Sequence, residues 1–532
     1  MKAERLLDDL SARALDLDTL RDLTSPASPY GERVWARLRP FRPGQEQDAA
    51  ARASRISEIA RALSSAQIDA AREVFRNVPD ASGAIAQASM GDTLGDAQLL
   101  ELQRFFDACV TLDGVTGDNA FPRTAGDTVR EIARTLELGR AGKFGFYLAD
   151  GFDPRLSSAR AALAKAQAGY DAALGRATAA VSDVLNREIS GTEFIVMRAD
   201  LNGPLPQGVR VVREAPTYVL CELDADEATL GALTRREEAA AEVGRQEEAV
   251  RRRLSDVVRS RAGELDAVCT SFGEADVLIA AARFVQAHTC VPAVMSASPC
   301  VRFEGGVYVP LALELAREGR KFTPIAVDLD DRAVLTGPNM GGKSVCLRTC
   351  GFIVACAAFG LPVPARSATV GLFEEIAWLG AGSESEAGGL LSSFAREVVR
   401  LRDVLARRAK PMFVLMDEFA RTTTPREGAA MVIAVLLALR ERAALSLAAT
   451  HLSGISEAAG IRHFVVRGLR GIPSRPASGD LHAALATLAE SMDYTIADVR
   501  DGEAHGSDAI ALAALLGLDE SLIAAAYGEL RA

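Results

Sequence analysis

No run of about 18 uncharged apolar residues occurs anywhere in the 532-residue chain, so no membrane-spanning helix is predicted. Charges within Met1 to Leu10 fall where a signal peptide needs its apolar centre, and a cytoplasmic protein is expected. The eight cysteines contain no C-x-x-C pair, and the five histidines lie far from one another. Those spacings give neither a zinc cage nor a disulfide framework, so the thiols are expected reduced. Cys346, Cys350 and Cys356 crowd one stretch and read as small apolar residues on a buried helix, as do His288 and Cys290 in their own surroundings. Positive charge is also short. A net charge of −11 disfavours indiscriminate binding along a polyanion, although a local basic face is compatible with it.

An apolar share of 49% and a charged share of 25% leave little room for extended disorder, and the length calls for roughly three or four domains. From Met1 to about position 150 the apolar residues recur at helical spacing, most clearly over Arg55 to Val78, which predicts a helical core. The turn Asp150-Gly151-Phe152-Asp153-Pro154 then opens an Ala-rich stretch, Leu156 to Glu188, expected as one long helix. The period changes at Glu193 to Arg198, Val209 to Arg213 and Thr217 to Glu222, three short β-branched segments separated by Pro and Gly. Helical spacing returns from Asp226 to Leu265. Residues 151–300 therefore read as an antiparallel arm of two long helices with a small β-rich tip at about 192–226. The arm's Arg251-Arg252-Arg253 run, with Arg259 and Arg261, either meets phosphates or forms a solvated face laced with Glu.

Residues 301–505 alternate short apolar strands with helices, the pattern of a parallel sheet covered on both faces, and so of an α/β domain. Within it, the apolar strand Ala333 to Thr336 runs into Gly337-Pro338-Asn339-Met340-Gly341-Gly342-Lys343-Ser344, followed by a predicted helix from Val345 to Phe359. This is G-x-x-x-x-G-K-S in the strand-loop-helix context that a P-loop requires. Its glycines let backbone N–H groups converge on phosphates, and the helix N-terminus adds partial positive charge. Lys343 is expected on the β and γ phosphates of ATP, and the Ser344 hydroxyl on magnesium. A second apolar strand, Met412 to Met416, delivers Asp417 and Glu418 at its carboxyl end, where ligands bind in open α/β sheets. Asp417 suits the magnesium, and Glu418 suits polarising the attacking water. A third strand, Leu445 to Ala449, ends in Thr450-His451, so His451 either senses the γ-phosphate or is a structural histidine.

These residues resemble the MutS family of ATPases. Gly-Pro-Asn-Met-Gly-Gly-Lys-Ser is similar to that family's P-loop, and Pro362-Val363-Pro364-Ala365 follows the first helix as in its members. Val414-Leu415-Met416-Asp417-Glu418 and Ala449-Thr450-His451 resemble its acidic strand and histidine switch. Thr24, Pro29, Gly31, Arg33, Leu38 and Pro40 resemble the opening of its helical core, and Asp150 to Pro154 the entry to its lever helix. The resemblance implies that Ser392 reaches a partner's γ-phosphate across a dimer and that Phe322 stacks on adenine. It also implies a C-terminal helical dimerisation element over 506–532, and His505 to Leu518 resembles the family's segment before that element. The chain begins where the family's core begins, which implies neither the mismatch-reading domain nor its connector. The tip looks smaller than the family's DNA clamp and carries no lysine, and Ala420 to Pro425 replaces a more glycine-rich loop.

Three functions follow as expectations. The first is an ATP-driven clamp, a homodimer or a heterodimer with a related chain, closing on branched or structured DNA. The second keeps the engine and changes the client to a protein, as in the reactivation of a cobalamin-dependent aminomutase. The third is a clamp that binds nucleotide without splitting it, against which the intact Glu418 argues.

Overall fold

A computed structural model describes residues 6–117, 121–142, 145–189, 191–201, 203–338, 341–380, 393–407, 410–442, 444–469, 491–499, 510, 513–514 and 518–531. The chain forms two compact units: Met1–Arg76 with Val115–Pro122 and Phe272–Ala532, and Asn77–Gly114 with Arg123–Ser271.

The first unit carries a six-stranded sheet. Its strands are β1 (Arg332–Thr336), β2 (Glu375–Gly380), β3 (Met412–Asp417), β4 (Leu445–Ala449), β5 (Arg462–Leu469) and β6 (Met492–Asp498), in the order β2-β3-β4-β1-β5-β6. All neighbours are parallel except β5 and β6. The central strands are continuous apolar runs because both of their faces are covered. On one face, α2 (Ser393–Ala406) and α3 (Pro425–Arg440) bury Leu401, Val404, Val432, Val435 and Leu436 against Ala377, Val414, Met416 and Ala448. On the other lies α1 (Lys343–Ala358), where the missing side chain of Gly351 admits Leu15 and Leu415.

The sheets are mixed, not purely parallel as the sequence pattern suggests. The edge strand β6 runs antiparallel, and a separate four-stranded sheet pairs Val294–Ser296, Ser367–Gly371, Val301–Gly306 and Ile325–Leu329 in that order, with two of its three pairings antiparallel. Val301–Gly306 and Ile325–Leu329 alternate buried and exposed residues, as strands with one wet face do. Another refinement concerns the helical stretch around Arg55 to Val78. It is two helices, Glu46–Ala62 and Ser65–Asn77, because Ser64 and Gln67 form a capping box: the Ser64 N–H donates to Gln67 Oε1 (3.0 Å) and the Gln67 N–H to Ser64 Oγ (3.3 Å).

The N-terminal segment covers the free edge of β2. The Ile376 N–H donates to the Leu6 carbonyl (2.8 Å), and the Trp378 N–H to Ser11 Oγ (2.9 Å). Asp8 caps the helix Asp9–Ala14 through the Ser11 N–H and is paired with Arg400 and Arg407, the latter also meeting Glu375. Burial alone would push the Asp8 carboxyl up, but Arg400, the Ser11 N–H and Arg407 outweigh it and hold it well below the usual carboxylate range. Such a depressed group stabilises the fold above its unfolded pKa, and the contribution is lost as pH falls through that value toward the folded one. Asp8→Asn should therefore lower stability at neutral pH by about 2 kcal/mol, less than a fully buried pair because the carboxylate is partly exposed. In urea titrations the gap between parent and variant should narrow as pH drops from about 5 to about 3. A constant gap would show that the ion pairs contribute nothing.

In the second unit, the helices Pro154–Leu185 and Glu227–Ser260 lie side by side. They are antiparallel: Arg160 pairs with Glu247 (2.8 Å), whereas Tyr170 further along lies under Arg236 (4.9 Å) nearer the start of the second helix. Between them sits a three-stranded sheet, Glu193–Met197, Tyr218–Leu223 and Val209–Glu214 in spatial order. The arginine run is laced with acids. Arg251 grips Asp96 with two bonds (2.8 and 3.2 Å), Arg252 faces Glu248, Arg253 reaches Asp153, Arg259 meets Asp256 and Arg261 meets Glu264. Among the described residues no helix is long and apolar enough to cross a membrane.

Candidate nucleotide site

The carboxyl ends of β1, β3 and β4 meet on one rim. The Thr450 N–H donates to the Leu335 carbonyl (3.0 Å) and the Glu418 N–H to the Ala449 carbonyl (2.9 Å), so the polar residues after three parallel strands are stitched together by backbone. Beyond β1 the chain turns into α1 at Gly342, whose φ of +85° suits glycine because no side chain must be accommodated there. Lys343 is buried. Its ammonium donates to the carbonyls of Gly337 (2.9 Å) and Pro338 (3.1 Å), which folds the side chain across the mouth of its own loop. Burial lowers the Lys343 pKa, while Glu418 and Asp417 favour its charged form.

The Ser344 hydroxyl donates to Asp417 Oδ1 at 2.8 Å. Burial pushes the Asp417 carboxyl up; the Ser344 hydrogen bond opposes this, Glu418 reinforces it, and Arg348 and Lys343 oppose it. Glu418 follows in the left-handed region, with φ +49°, and Ala420 repeats it with φ +63°. Two non-glycine residues held there within one turn store local strain, which the surroundings must secure. Arg421 donates to the Glu418 carboxylate (3.1 Å), and the Ala420 N–H donates to Glu397 on α2 (2.8 Å).

The strand end carrying Asp417 also constrains its neighbour. Gly380 closes β2 at φ +127°, and a Cβ there would lie 1.9 Å from the Asp417 carbonyl oxygen. Gly380→Ala should cost about 3 kcal/mol or more, combining an unfavourable φ with a backbone clash, and should also move Asp417. Thermal unfolding with and without ATP measures both consequences. A variant as stable and as responsive to ATP as the parent would contradict the close approach.

Thus Gly337, Pro338, Gly341, Gly342, Lys343, Ser344, Asp417 and Glu418 gather at one place. His451 follows Thr450 on the same rim with its side chain exposed. Phe322, half-buried, lies three residues ahead of the strand Ile325–Leu329 of the four-stranded sheet. Asn339, Met340, Ser392 and His505 lie outside the described residues. Sequence reasoning missed two neighbours of the site. Tyr494 on β6 brings its ring to 3.2 Å from where a Gly342 Cβ would stand, and no motif announces it. Arg348, one helical turn beyond Ser344, was detectable from its i, i+4 spacing; its charge favours the ionised Asp417, and its guanidinium lies 5.9 Å from the Trp378 ring.

The stretch that carries this site is similar to known proteins. Residues 333–532 match the model of MutS domain V. An Endonuclease MutS2 of Pelotomaculum thermopropionicum is 28% identical over 283 residues, which cover 52% of this chain and 33% of that protein. The DNA mismatch repair protein MutS of Granulibacter bethesdensis is 34% identical over 253 residues, 46% of this chain and 27% of that protein. An Endonuclease MutS2 of Clostridium botulinum is 32% identical over 183 residues, 34% of this chain and 22% of its own length. The matched portions span a third or less of these relatives. The domain V match and the MutS and MutS2 relatives together support a MutS-family protein.

Proposed function

We propose that the chain is a MutS-like ATP hydrolase whose nucleotide cycle drives a dimeric clamp on branched or structured DNA. The observation that carries the hydrolase reading is the convergence of Lys343, Ser344, Asp417 and Glu418 around one loop. Lys343 and the backbone N–H groups of the loop bind the β and γ phosphates, and Glu418 orients water. Ser344 and Asp417 are hard oxygen donors already in contact, which suits magnesium, and that ion would neutralise phosphate charge. His451 on the rim senses the γ-phosphate, and Ser392 of one protomer completes the other's site. The relatives' names, mismatch repair protein and endonuclease, support DNA as the client. Gel shifts with duplex, mismatch, junction and loop DNA, with and without ATP, test this. Nucleotide-dependent retardation is expected, and no binding at about 50 mM salt, where phosphate contacts are strong, would overturn the DNA client.

A second reading replaces DNA by a protein client, such as a cobalamin-dependent aminomutase awaiting reactivation. It is favoured by one feature: the arm's tip, residues 192–226, contains no lysine. Restoration of an inactivated mutase by the chain, ATP, magnesium and fresh cofactor is the test. Failure of restoration would count against that client.

A further inference from the structure

The helix α2 sets a carboxylate where its packing calls for an apolar side chain. Its core-facing stripe runs through Phe394, Leu401 and Val404, which pack in the cluster that also holds Met416, Phe419 and Ala420. On the helical period the place between Phe394 and Leu401 belongs to Glu397, three residues after the one and four before the other. Val398 and Val399 meanwhile stand 36% and 37% exposed. A half-buried carboxylate on the packed side of a helix costs free energy unless hydrogen bonds compensate it. Burial pushes the Glu397 carboxyl up, and the Ala420 N–H and Arg421 oppose the shift.

The compensating group belongs to the turn that carries Glu418. The Ala420 N–H donates to Glu397 Oε2 at 2.8 Å. The Glu418 N–H goes to the Ala449 carbonyl at the end of β4 (2.9 Å), and the Arg421 N–H returns to the Glu418 carbonyl (3.2 Å), which closes the turn. The Ala420 carbonyl stands against Gly428 in the first turn of α3, where a Cβ would lie 3.1 Å away. Phe419 and Ala420 are both 2% exposed. Glu418 and Ala420 hold left-handed φ values of +49° and +63°, which residues with a Cβ keep only when their surroundings secure them. Glu397 secures the second of them from α2. Without that acceptor the buried Ala420 N–H would be orphaned, and the turn would relax to find another partner. Relaxation would carry Glu418, two residues upstream, away from the glycine loop.

We propose that Glu397 is a positioning residue for hydrolysis: by accepting the Ala420 N–H it holds the left-handed turn that aims Glu418 at the attacking water. The proposal deepens the hydrolase reading and rests on it. Glu397 acts through its acceptor oxygen and not through its charge, since its partner is a neutral backbone N–H. The rate of hydrolysis is thereby tied to the seating of α2 on the sheet, while the grip of Lys343 and the loop on the phosphates is not.

The test compares Glu397→Ala and Glu397→Gln with the parent in the full chain. Three quantities are read: phosphate release at saturating ATP, affinity for a slowly hydrolysed ATP analogue, and deuterium uptake at the Ala420 amide. Glu397→Ala should slow phosphate release about tenfold to a hundredfold and leave the affinity within about twofold. Its Ala420 amide should exchange about tenfold faster or more. Glu397→Gln, whose amide oxygen still accepts, should keep the rate within about threefold and the exchange near the parent's. The proposal is overturned if Glu397→Ala hydrolyses ATP as the parent does, or if its affinity falls in step with its rate, which is the mark of general damage. It is also overturned if Glu397→Gln is as slow as Glu397→Ala, because charge would then be the working property. Retained analogue affinity shows that a slow variant is folded. If the parent itself released no phosphate the hydrolase reading would fail, and amide exchange would still show whether Glu397 holds the turn.

Discussion

Replacing Lys343 with alanine should weaken ATP binding by about a hundredfold or more and remove turnover, since two charge-assisted hydrogen bonds of about 1.5–3 kcal/mol each would be lost. The structure shows what the substitution removes. The ammonium is buried, held over the loop by two carbonyls, and faces the negative charges of Asp417 and Glu418. Without it those carboxylates would repel a triphosphate. Calorimetry with a slowly hydrolysed ATP analogue reads the affinity, and phosphate release reads the turnover. Circular dichroism controls for folding. A variant that keeps the parent's affinity and rate would end the nucleotide assignment, and with it the DNA-clamp reading.

Glu418→Gln should separate binding from chemistry. The side chain keeps its size and hydrogen-bonding reach but loses the charge that polarises water, so hydrolysis should slow by about 10² to 10⁴. Binding should be nearly unchanged because Lys343 and the loop are intact. Glutamine also preserves a position whose left-handed backbone is already costly, and the Arg421 guanidinium can still donate to the neutral amide oxygen. Single-turnover assays with excess enzyme isolate the chemical step. A rate equal to the parent's would assign the water to another group. No phosphate release from the parent itself would instead favour a clamp that holds nucleotide without splitting it.

What could be foreseen follows from where the signals are local. Met412–Asp417 and Leu445–Ala449 were legible because buried parallel strands are mainly apolar runs, here ending in Asp417 or followed by Thr450. Lys343, Ser344, Asp417 and Glu418 were legible because each sits beside such a strand end or the glycine loop. The antiparallel direction of β6 was not, since direction depends on the return path of the chain and not on the composition of the strand. Nor was the strain at Glu418 and Ala420, because only glycine advertises a positive φ. Tyr494 beside Gly342 is a tertiary contact without a motif. Asp8 and Arg400 lie 392 residues apart, and no local pattern links them.

That distant pairing has a practical corollary. Leu6 and Ser11 occupy hydrogen-bonding groups of β2 that would otherwise face solvent as an unpaired strand. Proteolytic trimming of the first fifteen residues, or a bulky fusion that pries them away, would bare a sticky border of backbone donors and acceptors. Recombinant preparations altered at that end should then clump on concentration, while carboxy-terminal tagging would leave this border sheathed.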